Sequence, residues 1–311
     1  MSTDVLEAPA PSGKDATYAA RRQLIQGSAR ATLKRRRAIA LAIRIIFGIC
    51  MFLTLIPLAF LIGYVTKRGI GALSVAFFTH TPTPEGIPGG GISNAIVGSL
   101  IINGLALVIA MPIGLLVALF LIERRGPIAN AIRFGADVLS GLPSILIGLF
   151  AYSVIVVHTH YSAYSASVAL AVLMLPIMIR GNEEAMRTVP NELWEAGLAL
   201  GLRRWRIVLR IVLPTAAGGL VTGAVLGVAR VAGETAPLLL TSSIFSNLGI
   251  TTNPGVALPN IPVTIFTLSE SPSPQDHAQA WAAALVLVAF VLIVSLVART
   301  FNERSRRKIA D

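Results

Sequence analysis

Apolar runs of about 20 residues return along this chain, and nothing else in it restricts the fold so strongly. They lie at about 43–65, 95–122, 136–157, 163–179, 214–240 and 279–298. A bilayer core about 30 Å thick takes roughly 20 helical residues to cross, and in lipid every backbone polar group needs an internal partner. The chain therefore reads as all-α, a polytopic membrane protein with six transmembrane helices. The fourth run is the shortest, with Pro176 near its end and Arg180 closing it. Composition agrees, since 54% of the 311 residues are hydrophobic and only 13% charged, a balance foreign to soluble domains of this size.

Basic residues set the expected orientation, because cytoplasmic flanks retain Lys and Arg during insertion. Of the 26, nine lie in residues 1–44, three in the 123–135 loop (Arg124, Arg125, Arg133), six in the 180–213 loop and five from Arg299 onward. The opposite side carries only Lys67 and Arg68, and Arg230 lies within the fifth run. Both termini are expected in the cytoplasm. The net charge of +11 borders membrane segments and is not interleaved with aromatics, so no nucleic-acid partner is expected. Residues 1–40 read as a basic, disordered tail too long for a signal peptide's charged leader, and 300–311 as a second basic tail.

The loops at 79–93 and 246–275 are rich in Pro, Gly and Ser and read as irregular structure on the outer face. His80, His158, His160 and His277 fall there. "HTH" at 158–160 lacks a third ligand, so no metal site is assigned. Cys50 is the single cysteine and excludes an internal disulfide.

"VARVAGETAPLLLT" at 228–241 places Arg230 and Glu234 four residues apart in an apolar run. On a helix that spacing shares one face, and an unpaired charge at the bilayer centre costs at least about 2.5–3.5 kcal/mol. The pair is either a clasp between spans or an anion contact. A guanidinium presents a planar donor fork that matches two oxyanion oxygens and stays charged at any relevant pH. Glu234 would temper that pull so that the ion is also released, and its carboxylate can accept a hydrogen bond from a protonated phosphate oxygen, which sulfate lacks. Gly219, Gly223 and Gly227 form a small-residue row for close helix packing, and Pro237 is expected to interrupt the helix just after the charges. Ser99, Asn103, Ser140 and Ser144 either line the same path or hydrogen-bond between helices. Asp137 stands near Arg133, as a solvated interfacial pair.

The 180–213 loop carries the marks of two helices. Asn191 is placed to cap the first, with Glu192 and Glu195 in its opening turn and Gly201 ending it. Arg203, Arg206 and Arg210 then line a basic interfacial helix that runs into the fifth span, where Pro214 suits the first turn. Such a capped loop serves either as a rigid knob for a soluble partner or as a membrane anchor.

"EAGLALGLRRWRIVLRIVLP" (195–214) resembles the EAA motif of ABC importer permeases, through Glu195, Ala196, Gly201, Ile211, Leu213 and Pro214; Gly197 stands where that family often has alanine. "LSGLPSILIGLF" (139–150), "LPIMIRGNEEAMRTVP" (175–190) and "ARVAGETAPLL" (229–239) are similar to the A-type permease of phosphate-specific ABC importers. The resemblance implies a type I importer permease architecture. It implies that Asn191, Glu192, Trp194, Glu195, Ala196, Gly197 and Gly201 couple to an ATP-binding subunit dimer, and that Arg230, Glu234 and Thr235 line a phosphate path. It also implies a homologous second permease, an external phosphate-binding protein and a bacterial plasma membrane location. No G-x-x-x-x-G-K-[ST] loop occurs, so ATP is used by a partner and this chain binds no cofactor and catalyses nothing alone. A permease for sulfate, molybdate or phosphonate, or a stand-alone secondary anion transporter, is the alternative.

Overall fold

The computed structural model describes residues 13–84, 87, 89–242 and 249–310, with the backbone alone for 13–35, 38, 298–299 and 301–310. The described residues form helices joined by short connections, with no strand among them. The chain divides into two compact units, Met1–Gly63 and Tyr64–Asp311.

The first unit holds most of helix α1, Gly13–Gly69. The leader expected to be disordered is helical from Gly13 and continuous with the first span; residues 1–12 lie outside the described ones. Ala, Arg, Gln, Leu and Lys dominate 19–37, all strong helix formers, so helix propensity carries where polarity suggested disorder. From Ile39 to Leu61 the large apolar side chains are exposed, as a helix apolar all round requires of a lipid neighbour.

In the second unit a short α2 (Val75–Thr79), capped by Ser74, precedes α3 (Ser93–Glu123). Next come α4 (Pro127–Gly141) and α5 (Ser144–Val154). The third apolar run, expected as one span, is these two helices, with a bend of 103° between 127–141 and the helical stretch 144–158. Leu142 and Pro143 leave the helix at ψ 137° and 131°, because a proline disfavours the α-region for the residue before it. Five helices among the described residues are long and apolar enough to cross a membrane, and the bent pair makes a sixth.

α6 (Ala163–Arg187) continues past the expected end at 179 to Arg187, through Pro176 and Arg180. It is the most buried of the spans and packs on α3, α4 and α5. Its faces are small or pliant: Ala163, Ala166, Ala171, Met174 and Met178 are almost wholly buried. Ser162 caps it in a reciprocal box with Ser165, and Ser167 Oγ donates to Ile102 O at 3.1 Å to tie it to α3.

α7 (Asn191–Ala199) and α8 (Arg204–Ile207) follow. A π-helical stretch, Val208–Val212, joins α8 to α9 (Leu213–Val231) without a break. Pro214 sits in the second position of α9. A proline removes the N–H of an i→i−4 bond and crowds that carbonyl, and the wider π turn just before it relieves the crowding. Beyond α9 come α10 (Ala236–Thr241), α11 (Ile261–Glu270) and α12 (Pro274–Ala310). α11 lies where an irregular loop was expected. Asn260 caps it through Val263 N–H at 3.0 Å, and its first turn is buried; ten residues are too few for apolar periodicity to show.

Candidate functional site

α9 ends at Val231, and the chain turns through Ala232–Thr235 before α10 begins. Ala232 N–H closes onto Val228 O at 2.8 Å and Glu234 N–H onto Val231 O at 3.0 Å. Arg230 thus occupies the last helical turn while Glu234 lies in the break, and Arg230 Nη1 still donates to Glu234 Oε1. The interruption expected at Pro237 comes before it. Pro237 occupies the second position of α10, where its missing N–H costs nothing, and it packs so closely on α5 that a Cβ at Gly148 would meet its Cα at 2.6 Å.

The two partners differ in burial. The Glu234 side chain is 13% exposed and the Arg230 side chain 60%, so the carboxylate is held in the wall while the guanidinium is presented. What it faces is a cavity of about 350 Å³ between the α4–α5 elbow (Ser140, Pro143, Ser144) and α6 (Pro176, Ile177). Ser140 and Ser144 thus share the cavity with the ion pair. Thr235 is not among the lining residues; its carbonyl accepts from Leu239 N–H at 3.0 Å. Ser99 and Asn103 lie elsewhere, Ser99 tying α3 to α11 and Asn103 bonding back within α3. Ser99 Oγ accepts from Ile261 N–H at 2.8 Å, and Asn103 Nδ2 donates to Ser99 O at 2.8 Å.

The expected Asp137–Arg133 pair is absent because α6 extends further than the apolar run indicates, bringing Arg180, Glu183 and Arg187 opposite α4. Arg133 bonds Glu183 Oε1 through Nε at 3.2 Å and Nη2 at 2.8 Å, and Nη2 also donates to Leu121 O at 2.9 Å. Arg187 Nη2 reaches the same carboxylate oxygen at 2.6 Å. Asp137 instead pairs with Arg180.

The glycine row of α9 faces α6 within this chain. A Cβ on Gly219 would stand 2.6 Å from Ala185 Cβ, and one on Gly227 2.6 Å from Met178 Cε; at Gly223 the nearest atoms, in Gly181, are 3.6 Å away. Gly181 is the matching small residue on α6, missed because the fourth run was ended at Arg180.

In α7 the cap falls on Pro190 with no side-chain bond, and Asn191 is the first helical residue. Proline fixes the extended conformation that a cap requires, which leaves Asn191 no cap to make. The C-terminus follows expectation: Gly201 takes φ +72°, its N–H bonds Leu198 O at 2.9 Å, and Leu202 N–H bonds Gly197 O at 3.1 Å, a Schellman motif. Gly197 is buried, and a Cβ there would meet Ile207 Cγ1 at 2.9 Å, so the glycine lets α8 lie close. Trp194 is partly buried against the cluster of Met186, Ile207 and Val212. Asn191, Glu192, Glu195 and Ala196 are exposed, so the helix is anchored on one side and open on the other.

Residues 110–307 match the family described as "Binding-protein-dependent transport system inner membrane component". The chain belongs to this family. As a family member it is a multi-pass membrane permease component and not a catalyst by itself. It is 39% identical over 249 residues to the phosphate transport system permease protein PstA of Yersinia pestis, covering 79% of this chain and 83% of that one. It is 36% identical over 274 residues to the phosphate transport system permease protein PstA 1 of Mycobacterium tuberculosis (strain CDC 1551 / Oshkosh), covering 86% and 89%. Among solved structures, inward-facing MetNI methionine ABC transporter chains share the fold of this permease, with a TM-score of 0.55, 19% identity, and coverage of 69% of this chain and 95% of that one.

Proposed function

We propose that this permease forms half of the translocation pathway of an ATP-driven importer of inorganic phosphate. The observation that carries the reading is the presented guanidinium of Arg230, braced by the less exposed Glu234 carboxylate at a helix break and opening on a cavity that Ser140 and Ser144 also line. A free helix interior would satisfy its own backbone; a break beside a cavity frees polar groups where an ion can use them. Relatives named as phosphate permeases, similar over most of their length, support the choice of anion.

The open face of α7 serves as the docking surface for the ATP-binding subunit dimer. Its motion reaches the anion site through one continuous helical run, Arg204–Val231, which ends beside Arg230. A homologous second permease supplies the other wall of the path, and an external phosphate-binding protein delivers the ion. The basic flanks, including both termini, face the cytoplasm of a bacterium.

The test is uptake of labelled phosphate into proteoliposomes holding the complete complex. ATP-dependent uptake is expected for wild type. With Arg230→Gln it is expected to fall roughly 10- to 100-fold, the range for one charge-assisted hydrogen bond, with subunit assembly kept. Uptake by the isolated chain, driven by a proton gradient without ATP, would replace this reading with the secondary transporter.

A further inference from the structure

A second cleft, of about 390 Å³, lies on the same two helices as the cavity at Arg230 and is separate from it, with charged lining from Arg133 and Asp137 on α4 and from Arg180, Glu183, Glu184 and Arg187 on α6. The pairing is antiparallel, with Arg133 opposite Glu183 and Asp137 opposite Arg180, and with Ser140 and Ile177, in the wall of the Arg230 cavity, one step further along the same two helices. At about 1.5 Å of rise per residue, Arg180 stands roughly one helical turn beyond Ile177, on the side of α6 that leads into α7.

Arg133 and Arg180 differ in this groove, where Arg187 is also exposed and bonded to Glu183. Arg133 is a clasp, with Nε and Nη2 on Glu183 and Nη2 also on Leu121 O, and its partner's side chain is only 11% exposed. Arg180 is not. Its side chain is 59% exposed and its partner Asp137 53%, so the pair stands open to the cleft. A guanidinium carries five N–H donors, more than the one contact to Asp137 uses. As at Arg230, an exposed guanidinium is paired with one carboxylate, though here the carboxylate is exposed as well.

We propose that Arg180, tempered by Asp137, is a second contact for the transported oxyanion. The inference rests on the importer reading for its phosphate specificity alone. The ion passes from the Arg230 fork along Ser140 to the Arg180 fork, and each carboxylate keeps the hold weak enough for release. The stretch of α6 carrying Arg180 is thus the wall of the path nearest the coupling helix.

The test uses the complete complex in native membranes. On a Cys50→Ser background, Ser140→Cys places a thiol in the wall of the Arg230 cavity, one helical turn from Asp137, the partner of Arg180. It is expected to react faster with an anionic than with a cationic methanethiosulfonate, and added inorganic phosphate is expected to slow both. Arg180→Gln is expected to lower that charge preference roughly threefold or more, since a nearby charge sets the local concentration of a charged reagent. ATP-driven phosphate uptake in the same variant, with Ser140 intact, is expected to fall roughly tenfold and to recover in part with Arg180→Lys. An unchanged charge preference overturns the proposal, even where uptake is lost, since that combination marks a structural role. If Arg180→Gln fails to assemble, Arg180→Lys carries the test: a full retention of uptake and of phosphate protection overturns the role of the fork. The labelling needs neither ATP nor uptake. A charge preference that depends on Arg180 in a complex that takes up no phosphate refutes the importer reading and leaves the anion contact standing.

Discussion

At Gly219 and Gly223 the same substitution has opposite consequences, because the neighbours differ by about one ångström. A methyl group on Gly219 would meet Ala185 Cβ at 2.6 Å, whereas at Gly223 the nearest atoms are at 3.6 Å, ordinary contact. Gly219→Ala is expected to destabilise by about 1–3 kcal/mol through overpacking. Gly223→Ala is expected to be neutral or to gain up to about 1 kcal/mol in helix propensity. Thermal midpoints of the solubilised complex distinguish the two, and equal shifts would refute the seam as described. Arg133→Ala leaves Glu183 with Arg187 alone; a loss of about 1–3 kcal/mol is expected for the stranded carboxylate, read in the same assay.

Among the helices, the π stretch before Pro214 sets the rotational phase between α8 and α9. Pro214→Ala removes the crowding that the wide turn relieves and allows Val208–Val212 to rewind as α-helix. That would rotate Arg230 about 100° relative to α8. The expected outcome is an assembled complex that hydrolyses ATP but transports poorly, with the ratio of ions moved to ATP consumed as the readout. Gly201→Val is expected to unwind the end of α7, since a β-branched residue at φ +72° costs about 1–2 kcal/mol; weaker copurification of the ATP-binding subunit would report it. The run lengths made the spans legible, and the positions of Gly201 and Arg230 were readable from glycine and charge alone. Three features escaped. The 103° elbow hid inside an unbroken apolar run whose signal was Pro143. The end of α6 hid behind the polar residues Arg180, Asn182 and Glu183, which packing accommodates and hydropathy does not. α11 was too short for periodicity. The elbow and the start of α11 had local signals, Pro143 and the Asn260 cap, that hydropathy does not register, while the end of α6 was decided by its packing against α4.

On the scale of the whole molecule, the charge asymmetry predicts sidedness that an impermeant thiol reagent can read. On a Cys50→Ser background, His158→Cys is expected to label in intact cells and Arg125→Cys only after permeabilisation; the reverse pattern would invert the topology. The elbow also bears on how the protein is made. α5 has 11 residues and is about 16 Å long, half of what a bilayer requires, so it crosses only together with α4. Its buried neighbours are on α6 and α10, which are synthesised later. The wall of the anion cavity that α5 supplies is therefore completed only once α6 and α10 have been made.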